Sequence, residues 1–282
     1  MTRAPRAAEP RRPPLSKDTQ LCISLAARPS NIGTRFHNHL YDQLGLDFIY
    51  KAFTTTDIVA AIGGVRALGI RGCSVSMPFK EDVIALVDEV EPSARAINSV
   101  NTIVNDGGQL TASNTDYLAV QRLIDEHRLD STATVLIRGS GGMASAVGAA
   151  FRDHGFGSGT VVARNGDAGR ALAERLGYDY AAEVGARTAA VIVNVTPIGM
   201  AGAPEFSERA FGESTIAMAH TVFDVVALPS ETPLITAARA AGVDVITGAQ
   251  VIALQAAEQF ERYTGVRPTP EQVAEASAMS RA

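Results

Sequence analysis

Lys80 ends the segment Ser74-Val75-Ser76-Met77-Pro78-Phe79-Lys80, and Asp116 ends Asn114-Thr115-Asp116 about 35 residues further on. Each motif delivers one ionisable side chain from a short polar, turn-prone stretch, the kind of segment with which a rigid scaffold presents a proton-transfer group to a ligand. A lysine and an aspartate within hydrogen-bond reach can share one proton. Oxidising an alcohol asks for such a pair: the hydroxyl gives up its proton while the carbon's hydride leaves for a nicotinamide ring. Burial lowers a lysine's pKa toward the working pH and a carboxylate neighbour raises it again. Lys80 is therefore the expected proton carrier, with Asp116 orienting it, and the two would titrate as a pair.

A place for the nicotinamide cofactor follows in the chain. Thr134-Val135-Leu136-Ile137 reads as a buried strand, an unbroken β-branched and aliphatic run. Arg138-Gly139-Ser140-Gly141-Gly142-Met143-Ala144 comes next, then a small-residue helix from Ser145 to Arg152. This is G-x-G-x-x-A in a strand–turn–helix setting: Gly139 allows the tight turn, Gly141 admits a pyrophosphate to the backbone, and Ala144 lets the helix pack close to the sheet. The helix N-terminus adds free N–H groups and a positive dipole end. A glycine loop alone is a common surface turn. What separates the two readings is a second strand, Gly159-Thr160-Val161-Val162-Ala163, at the spacing of a βαβ unit. It ends in Arg164 and Asn165, where an NAD site usually carries an acid. A guanidinium suits a 2′-phosphate, whereas Asp167 close by favours a free ribose and Arg164 also reads as a solvated strand-end charge. NADP is the expected cofactor, with NAD left open.

The elements that must position these groups alternate. Leu21 to Ala26 reads as a strand, Arg35 to Leu44 as a helix, Phe48 to Phe53 as a strand, Thr56 to Leu68 as a helix capped by Thr56 or Asp57, and Ile70 to Ser76 as a strand. A helix is expected over Glu81 to Glu89, then a hairpin of Ala96 to Asn105 with Gln109 to Ser113, and a helix from Asp116. Beyond Thr132 the strands Val191 to Val195, Val222 to Val226 and Val243 to Ile246 continue the alternation, before a long helix from about Gln250 to Thr264 and a short one after Pro270. This spacing predicts an α/β protein with a parallel, doubly wound sheet whose ligands lie at the carboxyl ends of its strands.

Composition narrows the class. At 282 residues, 46% hydrophobic and 20% charged, the chain reads as an ordinary soluble protein with room for two domains and no transmembrane span. A net charge of −5 argues against a nucleic-acid partner. Cys22 and Cys73 have no metal-ligand spacing and make no disulfide framework, so they read as core thiols of a cytoplasmic protein, and no metal is expected. Residues 1–18, with Arg3, Arg6, Arg11, Arg12 and several prolines, lack the apolar run of a signal peptide; they read as a flexible leader, or one ordered only by packing on the body. A monomer and a homodimer are both open.

Taken together, Ser74 to Lys80, Asn101-Thr102, Asn114-Thr115-Asp116, the Gly139 loop, Asn194-Val195-Thr196-Pro197-Ile198-Gly199-Met200, Pro229 to Leu234, and Gly248 with Gln255 resemble the shikimate dehydrogenase family in order and spacing, over roughly residues 21–267. The resemblance implies NADP-linked, reversible reduction of 3-dehydroshikimate to shikimate, a step of aromatic amino acid biosynthesis, by two domains. One is an N-terminal α/β substrate domain, residues 19–116 joined by C-terminal helices 250–282. The other is a Rossmann-type domain over 117–249. It also implies roles: Lys80 and Asp116 catalytic; Ser76, Asn101 and Gln255 on the ring hydroxyls; Gly139 to Ala144, Arg164, Asn165, Thr196 and Pro197 around the cofactor, with Gly248 against the nicotinamide. Without the family, Asn101 would read as a turn residue and Gln255 as a surface one.

The departures point to a subgroup. Family members usually place Ser-x-Ser-Pro before the His-Asn pair to grip the substrate carboxylate; this chain has Asn31-Ile32-Gly33-Thr34 before His37-Asn38. A usual tyrosine is Ala227, the Asn-Val-Thr motif is Ser74-Val75-Ser76, and Asn-Arg-Thr is Ala163-Arg164-Asn165. This resembles the shikimate dehydrogenase-like subgroup, which keeps the Lys–Asp pair. Two lost hydroxyl donors remove charge-assisted hydrogen bonds of about 1.5–3 kcal/mol each, and Asn31 has an amide to restore one. The expectation is weak turnover of shikimate, or preference for a related cyclic polyol or amino analogue. A ligand sensor on the same fold, without turnover, is the alternative, and the retained Lys80 and Asp116 weigh against it.

Overall fold

A computed structural model describes residues 11–281, which form two units. The first comprises the chain up to Asn114 together with the segment from Ala256 onward; the second is Thr115–Gln255.

In the first unit the order is β1 (Gln20–Ala26), α1 (Ile32–Leu44), β2 (Phe48–Thr54), α2 (Ile58–Ala67), β3 (Gly72–Val75), β4 (Glu89–Val90), α3 (Pro92–Arg95), β5 (Thr102–Asp106) and β6 (Gln109–Ser113). The sheet runs β2-β1-β3-β5-β6-β4, parallel across β2, β1 and β3 and antiparallel across β3, β5 and β6. The alternation of β1 sends Ile23 and Leu25 to one face, where they meet Cys73, Val75, Ile103 and the Ile58, Ile62 and Val65 stripe of α2. The other face is aromatic. His37 is fully buried and stacked on Tyr50 at 4.4 Å, with Phe260 and Tyr263 beside it; burial pushes its pKa down to about 3, so the ring is neutral. Both cysteines are buried and free.

Two differences from the expected elements have local causes. Glu81 to Glu89 is not one helix: a 3₁₀ turn covers Asp82–Leu86, after which Asp88 N–H donates to Leu110 O at 3.0 Å and Asp88 Oδ2 accepts from Leu110 N at 2.7 Å. These bonds draw the chain into the sheet as β4. Helix α1 begins at Ile32, three residues earlier than expected, because Asn31 ends the preceding loop in a helical conformation. Residues 1–10 of the leader lie outside the described residues; Arg12 beyond them donates to Asn38 Oδ1 at 2.9 Å and Phe48 O at 3.1 Å.

In the second unit come α4 (Thr115–Glu126), β7 (Val135–Arg138), α5 (Gly142–Asp153), β8 (Gly159–Val162), α6 (Gly166–Leu176), β9 (Asp179–Ala181), β10 (Val191–Asn194), α7 (Glu213–Ala217), β11 (Thr221–Asp224), α8 (Pro233–Ala240) and β12 (Asp244–Thr247). The sheet is β12-β11-β10-β7-β8-β9, parallel throughout, the doubly wound order expected from the alternation. Then α9 (Gly248–Thr264) and α10 (Pro270–Arg281) close the chain, and Tyr263 near the end of α9 lies so close over Gly72 that a Cβ there would sit 2.3 Å from its ring. Among the described residues no helix is long and apolar enough to cross a membrane.

Each sheet has an asparagine amide where ladder partners run out, half-buried in the first unit and fully buried in the second. In the first unit β2 is an edge strand, and Asn38 takes the place of the missing neighbour: its Nδ2 donates to Tyr50 O at 2.8 Å and its Oδ1 accepts from Tyr50 N at 3.2 Å. In the second, Asn194 Nδ2 donates to Asp224 Oδ1 at 2.9 Å, Thr232 Oγ1 donates to Asp224 Oδ2 at 2.6 Å, and Val226 N–H donates to Asp224 Oδ1 at 3.1 Å. Asp224 is fully buried, and desolvation raises its pKa despite these three donors.

Replacing Asn38 by alanine strands both Tyr50 backbone groups, and should cost about 2–3 kcal/mol in urea unfolding. For Asp224, the folded pKa lies above the unfolded one, so stability must fall as pH rises through the interval between them. Asp224→Asn should therefore gain on the wild type in thermal melts as pH rises above the ordinary carboxylate range, and a flat difference would contradict the burial argument. Asp224→Ala, which orphans three donors, should lose about 3 kcal/mol throughout.

Candidate active site

In the second unit β7 is buried and its strand direction continues into Gly139, whose N–H donates to Val162 O at 2.8 Å. Gly139 adopts φ +129°, and a Cβ there would lie 2.7 Å from Val195 Cγ2, so both conformation and closeness require glycine. Gly141 caps α5 without a side-chain hydrogen bond, and a Cβ built on Gly141 or Gly142 would meet nothing within 4 Å. The turn thus offers an uncapped helix N-terminus and bare backbone facing open space, a cradle that fits a pyrophosphate. Ala144 is fully buried, as its expected packing role requires, but the tightest helix contact belongs to Gly148, where a Cβ would lie 2.4 Å from Leu176 of α6.

Beside this turn opens a cavity of about 790 Å³. Gly139, Ser140, Gly141, Arg164, Asn165 and Thr196 line it, with Pro197 next to Thr196. Seven of the expected cofactor residues therefore face one space, while Gly142, Met143, Ala144 and Gly248 are not on its wall. Thr196 is fixed by Asn194, whose Oδ1 accepts from both Thr196 Oγ1 at 2.6 Å and Thr196 N at 3.0 Å. Asn165 is the N-cap of α6, its Oδ1 accepting from Ala168 N at 3.1 Å. Gly248 is small for a reason the sequence did not show: a Cβ would lie 2.3 Å from Val225 O at the end of β11.

Arg138 and Arg209 also line the cavity, and sequence reading passed over both. Arg138 donates to Ala210 O, and burial together with the charge of Arg164 lowers its pKa while Glu208 and Glu205 oppose the shift. Arg164 is exposed, with its Nη1 3.5 Å from Glu205 Oε1.

In the first unit backbone pairing gathers the expected substrate residues at the end of β3. Val75 N–H donates to Asn101 O at 2.9 Å, Val100 N–H to Lys80 O at 2.8 Å, and Phe79 N–H to Ser76 O at 3.1 Å, with Phe79 buried beneath the turn. Ser76 is exposed and Lys80 half-buried. The loop after β1 runs alongside, tied by Ala27 N–H to Met77 O at 3.3 Å. Asn31 is exposed, its side chain making no capping bond, and a Cβ on Gly33 would lie 3.5 Å from Tyr50 Oη. Tyr50 Oη in turn pairs with Ser74 Oγ at 2.8 Å.

Asp116 opens α4 in the second unit, buried, two residues after Asn114, which the first unit holds through Ser93 Oγ at 3.1 Å and Ser99 O at 2.8 Å. Gln255 is half-buried on α9. One turn later Gln259, which sequence reading did not single out, is buried and donates to Thr102 Oγ1 at 3.0 Å while accepting from Ser74 Oγ at 3.1 Å. Its spacing of four from Gln255, on the same helix face, was the available signal. Among the described residues no group of three His, Cys, Asp or Glu side chains could hold a metal.

Known proteins match this arrangement. Residues 31–103 match the model of the shikimate dehydrogenase substrate binding domain. A shikimate dehydrogenase-like protein of Haemophilus influenzae is 57% identical over 267 residues, 95% of this chain and 98% of that one. The solved structure of a shikimate 5-dehydrogenase-like protein superposes with a TM-score of 0.94 at 56% identity, covering 95% of this chain and 100% of the other. The Thermus thermophilus shikimate 5-dehydrogenase, solved in complex with NADP(H) and shikimate, gives a TM-score of 0.80 at 28% identity over 93% and 99% of the two chains. By sequence and by fold alike, this chain belongs to the shikimate dehydrogenase family and resembles its shikimate dehydrogenase-like members.

Proposed function

We propose that this protein is an NADP-dependent oxidoreductase acting on shikimate or a closely related cyclic hydroxy acid. Family membership supports the reaction class, and the turn at Gly139 to Gly142 carries the cofactor reading: bare backbone at an uncapped helix N-terminus, beside a cavity edged with arginines. A bound nicotinamide supplies hydride acceptance or donation.

The remaining steps belong to the chain's own groups. Lys80 moves the hydroxyl proton, held in place by its backbone bond to Val100 and by the buried Phe79. Asp116 orients the ammonium and shares its proton. Ser76 and Asn101, neighbours through the Val75 bond, take ring hydroxyls, and Gln255 adds a donor from α9. Gly141 and Gly142 accept the pyrophosphate, Thr196 and Pro197 bound the cofactor cavity, and Arg164 meets the 2′-phosphate. Around the substrate carboxylate, Asn31 offers an amide that makes no capping bond, whereas Gly33 offers no side-chain donor, although a Cβ there would sit in ordinary contact with Tyr50 Oη at 3.5 Å.

Lys80→Ala should lower kcat by about 10²–10⁴-fold with little change in KM, followed by NADPH absorbance; an unaltered kcat removes Lys80 from the chemistry. In a panel of shikimate, quinate and aminoshikimate, wild-type turnover of shikimate should be slow. Restoring serines with Asn31→Ser and Gly33→Ser should raise kcat/KM for shikimate about tenfold per hydroxyl. Fast wild-type turnover at micromolar KM would show that Asn31 and Gly33 bind the carboxylate well as they stand. Cofactor binding without turnover on any of the three would shift the balance toward a ligand sensor.

A further inference from the structure

The loop after β10 sets a carboxylate against Arg164, a residue of the cavity wall, that the glycine turn does not call for. Gly199 N–H donates to Glu205 O at 3.0 Å and Glu208 N–H to the same oxygen at 3.1 Å, so residues 199–208 close on themselves. Arg138 ties the far end of this loop to the sheet through Ala210 O. The result is that Glu205, largely covered, presents Oε1 3.5 Å from the guanidinium of Arg164, which is itself four-fifths exposed at the cavity wall. In a dinucleotide fold the acid that accepts the ribose 2′-hydroxyl stands at the end of the second strand. Here that position is Arg164, and the acid arrives from a different loop, beside it.

We infer that Glu205 sets the cofactor preference of this protein, by occupying Arg164 and offering an acceptor to an unphosphorylated ribose, so that the site discriminates less strongly for NADP. This rests on the dinucleotide reading of the cavity. A 2′-phosphate must displace the Glu205 carboxylate from Arg164 and then lie near its negative charge. A 2′-hydroxyl instead donates to it. Glu208 serves as the contrast: it bears on Arg138 but makes no ion pair with Arg164.

The test is isothermal titration of NADP and NAD, and of the fragments 2′,5′-ADP and 5′-AMP, into wild type, Glu205→Gln and Glu208→Gln, with thermal melts to confirm folding. Removing one solvent-screened charge at this separation should raise the NADP to NAD affinity ratio about fivefold in Glu205→Gln. The fragments should follow the same ratio, and Glu208→Gln should leave it where it was. An unchanged or lowered ratio in folded Glu205→Gln, with wild type binding both nucleotides, overturns the inference and leaves the cofactor reading intact. An equal shift in both variants also overturns it, since that would report net charge rather than the Arg164 contact. Wild type binding neither nucleotide fails the cofactor reading itself, and this inference with it.

Discussion

Parallel strands deliver function at their carboxyl ends, and there the chain leaves the hydrogen-bond ladder with its backbone groups unmatched. Everything that positions the site depends on how those groups are satisfied. In the second unit the answer is one buried pair, Asn194 and Asp224, at the ends of adjacent strands. Asn194 accepts from Thr196 and donates to Ile198 O at 3.2 Å, which shapes the loop along the cavity beside the glycine turn. Asp224 receives Val226 and Thr232, and Thr232 accepts from Ile235 N at 3.1 Å to start α8. A carboxylate this deeply buried carries a desolvation penalty. What it gains is specificity of loop geometry, since apolar residues of equal volume would leave the same backbone groups without partners.

The first unit meets the same constraint with neutral groups. Asn38 completes the edge of β2, while Tyr50, Ser74, Tyr263 and Gln259 form a connected set of hydroxyls and one amide behind the strand that leads to Ser76. Gly72 lets Tyr263 close over this strand. The end of β3 is therefore held from behind by a polar network and from the front by Val100 and Asn101, leaving the turn that carries Lys80 little freedom.

These arrangements were legible in the sequence to different depths. The second unit's sheet could be read almost strand by strand, because fully buried parallel strands are short apolar runs and glycine marks the turn between the first strand and its helix. Gly139 carries a local signal, a backbone that L side chains rarely adopt. β4 and β9 were missed because strands of two and three residues have no period to detect. Gly148, Gly248 and Gln259 were missed, or given another role, because what makes them matter is a partner distant in sequence: Leu176, Val225 and Ser74. The substrate residues were placed by family motif rather than by physics. Asn101 and Ser76 carry ordinary turn chemistry until the Val75 bond makes them neighbours.

That difference separates what the fold guarantees from what it leaves open. A pyrophosphate is recognised by backbone N–H groups and a helix dipole, features of conformation that tolerate changes of side chain so long as the glycines remain. The ribose and the substrate must be recognised by side chains, and there this chain presents Asn31 and Gly33 at the start of α1 and a carboxylate from another loop against Arg164. Neither disturbs the backbone frame, since Asn31 begins α1 and Glu205 hangs from a loop closed by its own main-chain bonds. Selectivity in this fold can therefore change at the cost of a few surface hydrogen bonds, while the buried Asn194 and the Tyr50, Ser74 and Gln259 network keep the strand ends, and the turns that follow them, where they are.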